Sequence, residues 1–287
     1  MMKTSYSKVC EGCGGTSFKP TKHTNVFGLG ADLVRCERCG LKFYNRLPNQ
    51  DFFAHHNAPA YDELAHASVE FGSMCNRDPA QTEHYRKTTA YYYGLMMKRA
   101  VALTGRGVAS LYEMGFGSGD FLAVAREHGV EHISGCDASR ENIRLARERL
   151  PWASVEHGFF CDVTRPPDGS QDAVVMLDCI EHTTTPRGDL ERAFAMLRSG
   201  GVLLVKTFYD EWHDTLTNLD LSAEKMKGHT AESVVGVGVT GYFSPIAHPH
   251  HFDVPVLLAM VDRVGFEVVT HELQKACSNI TVWGRRP

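Results

Sequence analysis

From residue 109 onward, short apolar runs alternate with segments of helical character, and this alternation constrains the fold more than anything else in the chain. ASLYEM (109–114) reads as a buried strand and DFLAVAREHG as the helix that follows it. HISGCD (132–137) is a second strand, and ASRENIRLARERL a helix with Ser139 as its N-cap. ASVEHG (153–158), DAVVMLD (172–178) and GVLLVKTF (201–208) continue the series, with the helix GDLERAFAMLRS before the last of them. Strands separated by helices of this length need crossover connections, which give a parallel, doubly wound sheet. The tail has the helix VPVLLAMVDRVG, then FEVVTHEL and ACSNITVWGRR with no helix between them. Those two strands predict an antiparallel hairpin at the sheet edge.

The 287 residues suffice for one large domain and a small one, and 43% hydrophobic with 22% charged residues is ordinary globular composition. Apolar stretches such as DAVVMLDCI are half the length of a bilayer crossing, and MMKTSYSKVCEGCGG has no apolar core of a secretory signal. A cytoplasmic protein is expected. A formal net charge of −4 gives no global basic field to recruit nucleic acid or an anionic membrane.

Four of the nine cysteines fall into two matched turns, Cys10-Glu-Gly-Cys13 and Cys36-Glu-Arg-Cys39, each followed by glycine. Such turns direct backbone amides at both thiolates, and two of them supply a closed tetrahedral set for a structural Zn²⁺. A redox dithiol needs one pair beside a βαβ unit, so the metal reading is preferred. The other five cysteines stand singly among apolar neighbours and read as small core residues. The chain therefore divides into a zinc-ribbon-like module (1–47), a helical linker (48–107) and a Rossmann-like α/β domain (108–287) with an insertion at 209–247.

Directly after the first strand of that domain comes Glu113-Met-Gly115-Phe116-Gly117-Ser-Gly119-Asp120. Alternate glycines permit a tight strand-to-helix turn and close approach of a ligand. A dinucleotide fingerprint spaces its third glycine one residue later, and Asp120 at the helix start would repel a pyrophosphate. A cationic sulfonium with an amino-acid tail meets no such repulsion. Asp137 closes the second strand, where a carboxylate accepts from ribose hydroxyls. Phe160-Cys161-Asp162 follows the third strand, placed to flank an adenine.

These segments resemble the class I S-adenosylmethionine-dependent methyltransferases. EMGFGSG (113–119) resembles that family's E/D-x-G-x-G-x-G motif, and VVMLDCIEHT (174–183) its fourth-strand segment. RAFAMLRSGGVLLVKT (192–207) resembles its helix and turn into the fifth strand. The order of ribbon, linker and catalytic core is also similar to bacterial enzymes that methylate sugars and other small metabolites. The resemblance implies S-adenosylmethionine as cofactor, held by Glu113, Gly115, Gly117, Asp137 and Asp162. It adds Phe116, Gly119, Ala138 and Cys161 around them, with Tyr85 reaching in from the linker. Asp178 and the Glu181–His182 pair would stand beside the methionine end.

On the acceptor side, SPIAHPHHFD (244–253) brings His248, His250 and His251 together after the insertion. Histidine titrates where a general base for a protonated acceptor must. His250 is favoured as the base because Pro249 and Phe252 fix the chain around it, with His182 and His251 as further catalytic candidates. A metal held by the histidines is the competing reading. Methylation of an rRNA base is the alternative function: the chain is similar to guanine-N1 rRNA methyltransferases in joining a four-ligand N-terminal zinc module to this fold, and its ribbon is locally basic. A charge balance of 30 Lys+Arg against 34 Asp+Glu favours a small-molecule acceptor.

Overall fold

The computed structural model describes residues 4–6, 9–21, 23, 31–48, 79–163, 166–209, 248–274 and 279–287. The insertion beyond Tyr209, the linker before Pro79, and Cys75, Cys277 and His213 lie outside the described residues, as do the side chains of Tyr85 and Cys161.

The N-terminal strands are short: β1 (Thr4–Tyr6), β2 (Phe18–Pro20), β3 (Leu33–Cys36), β4 (Lys42–Tyr44) and β5 (Arg46–Pro48). β2, β3 and β4 form an antiparallel meander, and β1 pairs with β5. A long helix, α1 (Pro79–Thr104), leads into the alternating part. There β6 (Ser110–Met114), α2 (Asp120–Glu127), β7 (His132–Asp137), α3 (Arg140–Arg149), β8 (Ser154–His157), β9 (Gln171–Leu177), α4 (Pro186–Met196) and β10 (Leu197–Phe208) succeed one another. The tail adds β11 (His250–His251), α5 (Val254–Val264), β12 (Glu267–Gln274) and β13 (Asn279–Arg285). The main sheet has seven strands in the order β12-β13-β10-β9-β6-β7-β8. β6 to β10 run parallel, and β13 pairs antiparallel with both β10 and β12, as the hairpin expectation requires.

Strand periodicity decides which side chain feeds which face. Tyr112, Met114, Val174, Met176, Leu203 and Val205 enter one core, against Leu190 and Met196 of α4 and Leu257 and Met260 of α5. Leu111, Ala173, Val175, Val202 and Leu204 enter the other, against Met97 of α1, Phe121 and Leu122 of α2 and Ile143 of α3. Ser139 caps α3 by accepting from the Asn142 amide at 3.0 Å.

The first core also contains Cys10, Val34, Cys36, Leu41 and Phe43 of the ribbon. A Cβ on Gly12 would stand 3.0 Å from both Leu41 and Met260, so ribbon and α5 meet without spare room. β11 then pairs antiparallel with β4, His250 opposite Phe43 and His251 opposite Lys42. The ribbon sheet thus borrows its fourth strand from the α/β part of the chain.

Asp189, in the first turn of α4, is 1% exposed, and burial pushes its carboxyl up to about 7 from 3.8. The folded chain therefore holds this proton more tightly than the unfolded chain. The resulting stabilisation is complete below about pH 4 and is lost as pH rises through 7. Asp189→Asn should stabilise the fold by roughly 1–3 kcal/mol at pH 8 and change little at pH 4. Equal shifts in melting temperature at both pH values would show that the buried charge is not the cost.

Candidate cofactor and acceptor site

Strand order reverses between β6 and β9, and the carboxyl ends of strands at such a point form a crevice. The loop after β6 fills its floor. Gly117 lies in the left-handed region at φ 53°, and a Cβ there would meet nothing within 4 Å. Gly119, at φ 75°, is closed the other way: a Cβ would stand 2.6 Å from Leu150. One position needs glycine to keep space open, the other to let the turn pack on the segment after α3.

Asp137 organises this loop. One carboxylate oxygen accepts from the Gly117 amide at 2.8 Å; the other accepts from the Ser139 amide at 2.8 Å and Asn142 Nδ2 at 3.1 Å. Burial raises its pKa and these bonds lower it. Glu113 is 2% exposed with Oε2 unpartnered, and burial pushes its carboxyl well above the usual range, aided by Asp120 and Asp137. Asp120 binds Ser118 Oγ at 2.8 Å and Arg149 at 3.3 Å, so the start of α2 carries an engaged acid rather than a vacant anion seat. Phe116 is buried, as is Phe160, whose ring packs on Tyr112 at 5.6 Å and so faces the core. Gly115 and Ala138 lie in the loops after β6 and β7, and Cys161 and the exposed Asp162 in a short turn after β8. Tyr85 is in the first half of α1.

The loop after β9 supplies the opposite wall. Asp178 is held at φ 50°, a costly conformation for a side chain other than glycine. Its Oδ2 pairs with Lys206 at 2.5 Å while Oδ1 is buried without a hydrogen bond. The turn Ile180–His182 follows, with Glu181 3% exposed and both carboxylate oxygens lacking a hydrogen bond of full geometry, the Thr207 hydroxyl being a loose partner. Burial and the nearby Asp178 push the Glu181 carboxyl up to about 8. His182 and His248 are half-buried, their rings 4.6 Å apart.

His250 and His251 sit differently from what the sequence favours. Both are in β11, 1% and 2% exposed, with Tyr44 edge-on to His251 at 5.8 Å. His250 donates from Nδ1 to the Thr183 carbonyl at 2.9 Å, and burial lowers its pKa to about 4. A group sealed this way is poorly placed to take a proton from an entering acceptor. His182 is half-buried, whereas His250 is 1% exposed.

The four ribbon cysteines converge: all four Sγ lie within 4.8 Å of one another, with Cys10–Cys39 at 3.5 Å and Cys13–Cys36 at 3.6 Å. A tetrahedral ion with Zn–S bonds of about 2.3 Å separates its sulfurs by roughly 3.8 Å, so this donor set fits. Hydrogen bonding with Cys10 pulls the Cys39 thiol down to about 5, the direction a metal-binding thiolate needs.

A family model described as a methyltransferase domain matches residues 84–271. The chain belongs to this methyltransferase family. A Mycolicibacterium smegmatis protein named as a probable S-adenosylmethionine-dependent methyltransferase is 32% identical over 93 residues, 32% of this chain and 34% of that protein. The chain thus spans about a third of the length of the curated relative it matches. An O-methyltransferase family protein from Burkholderia thailandensis shares the fold at TM-score 0.54 and 16% identity, over 83% of this chain and 63% of the other. A 1,6-didemethyltoxoflavin-N1-methyltransferase from the same organism, solved with its substrate and S-adenosylhomocysteine, gives TM-score 0.51 and 15% identity, over 81% and 90%.

Sequence reasoning passed over two polar residues that shape the methyltransferase. Lys206 is a lone cation in the apolar run GVLLVKTF, and that oddity was the available signal. Asp172 is 2% exposed and accepts from the Ala109 and Ser110 amides at 2.9 and 3.0 Å while Arg198 stands 3.3 Å away. It ties the amino ends of β6 and β9 together, beside a cleft of about 320 Å³ lined by Arg106 and Arg198. That cleft is at the opposite edge of the sheet from the glycine loop.

Proposed function

We propose that this methyltransferase binds S-adenosylmethionine over the carboxyl ends of β6, β7 and β9 and methylates a small-molecule acceptor in the cytoplasm, with Zn²⁺ on Cys10, Cys13, Cys36 and Cys39. The observation that carries this reading is the glycine loop, tied at Gly117 to Asp137 with open space where a side chain would stand. The cofactor supplies an electrophilic methyl group; the chain's task is to orient both reactants.

Asp137 retains lone pairs for ribose hydroxyls, and the residues on either side of the crevice are acids rather than phosphate-binding cations. Glu113 and Asp178 each keep a buried oxygen without a hydrogen bond, which suits the ammonium and sulfonium end of the cofactor. The fold neighbour that holds S-adenosylhomocysteine supports the same assignment. The excess of acidic over basic residues, 34 against 30, supports a metabolite over RNA as acceptor.

Calorimetry should give one S-adenosylhomocysteine per chain, and absence of binding would sink the assignment. Labelled methyl groups should pass to the small-molecule fraction of an extract and not to its RNA. His182→Ala should lower that transfer by about a hundredfold or more while product affinity persists.

A further inference from the structure

Glu181, His182 and His248 form a second cluster of ligand-type side chains, separate from the ribbon cysteines. Their donor atoms all lie within 4.8 Å of one another. Glu181 and His182 come from the turn after β9, whereas His248 arrives through the strand pairing that seats β11 on the ribbon. Tertiary structure, not sequence proximity, brings the three together.

Two facts point to a ligand. Glu181 is 3% exposed, yet neither carboxylate oxygen has a hydrogen bond of full geometry, the Thr207 hydroxyl being only a loose partner. Buried carboxylates without partners are costly and rare, and a cation opposite is the usual remedy. The two imidazoles also sit with ring centroids 4.6 Å apart, near enough for one ion to reach both.

We propose that Glu181, His182 and His248 hold a divalent transition-metal ion that binds the methyl acceptor. Two imidazoles and a carboxylate select Zn²⁺, Mn²⁺, Fe²⁺ or Co²⁺ over Mg²⁺ or Ca²⁺. Ligands at about 2.1 Å from an ion stand roughly 3.4 Å apart, so small rotations of the half-buried rings bring the donors into range. Three protein ligands leave coordination positions open, as catalytic rather than structural sites do. Those positions select an acceptor with two adjacent oxygen donors, such as a vicinal diol or a catechol. A hydroxyl held there loses its proton to solvent near neutral pH, which meets the need for a base that the sealed His250 does not.

The acceptor class rests on the methyl-transfer reading; the ion does not. The test titrates full-length protein holding a single zinc per chain, on the ribbon cysteines, with Co²⁺. One further equivalent should bind, with visible d–d bands and no thiolate charge-transfer band. Glu181→Gln and His248→Asn should each weaken that equivalent by about a hundredfold while the ribbon zinc is kept. Two variants are used because Glu181 is buried and His248 is not. Absence of a second equivalent, or its survival in both variants, would overturn the metal site. Failure of the unmodified protein to bind S-adenosylhomocysteine, with the Co²⁺ equivalent present, would overturn the methyltransferase reading and the acceptor class with it while the ion stands.

Discussion

Cys36→Ser should lower the melting temperature by more than roughly 10 °C and disable the acceptor side as well as the ribbon. Cys36 is 1% exposed at the end of β3, inside the same core as Val256 and Met260 of α5. Binding energy of a structural zinc is folding energy, about 10–16 kcal/mol in small metal modules, and three thiolates retain only part of it. The ribbon alone would be a dispensable appendage if it ended at its own sheet. It does not: β4 carries β11 in register, and Lys42 pairs with Asp253 at 2.9 Å with only 10% of the lysine side chain exposed. Loosening β4 therefore frees the segment that presents His248. The glycine loop lies on other strands, so product affinity should fall less than turnover. Elemental analysis should give at least one zinc per chain in the parent protein, and one fewer in Cys36→Ser. A Cys36→Ser protein with unchanged zinc content and melting temperature would remove the metal from the argument.

Most of the architecture is legible because its signals are local and repeated. The run VVML alternates between two cores, and Ser139 precedes its helix with a side chain that can cap it; both are visible at a range of a few residues. The hairpin of β12 and β13 follows from the absence of a helix between two apolar runs. What is not legible is long-range. β11 is two residues long, and only the ribbon edge some two hundred positions earlier makes it a strand. Without that edge, His-Pro-His-His reads as an exposed loop, which is why His250 draws attention as a base and turns out sealed. Asp172 and Lys206 are missed for a related reason: each satisfies partners on neighbouring strands, and strand adjacency in a doubly wound sheet is not sequence adjacency. Glu181 and His182 are legible as a pair, and the 248–251 histidines as a candidate metal cluster; that Glu181 joins His182 and His248 is not.

Asp137→Ala should weaken both S-adenosylmethionine and S-adenosylhomocysteine by two to three orders of magnitude, and by nearly the same factor. The carboxylate is 8% exposed and serves two tasks at once. It fastens the loop through Gly117 and starts α3 through Ser139 and Asn142, and its remaining lone pairs are available to a ribose. Charge-assisted bonds of this kind contribute about 1.5–3 kcal/mol each, and removing the acceptor leaves buried amides unpaired as well. Ribose contacts do not change as the methyl group leaves, so the loss belongs to uniform binding: cofactor affinity falls while turnover at saturation is largely kept. Asp137→Asn separates the two tasks. One amide oxygen can still accept from Gly117 or from Ser139, but not from both sides, so an intermediate affinity is expected. If alanine and asparagine lose affinity equally, the charge at position 137 matters and the loop brace does not. If neither loses any, Asp137 braces a loop that the cofactor does not use.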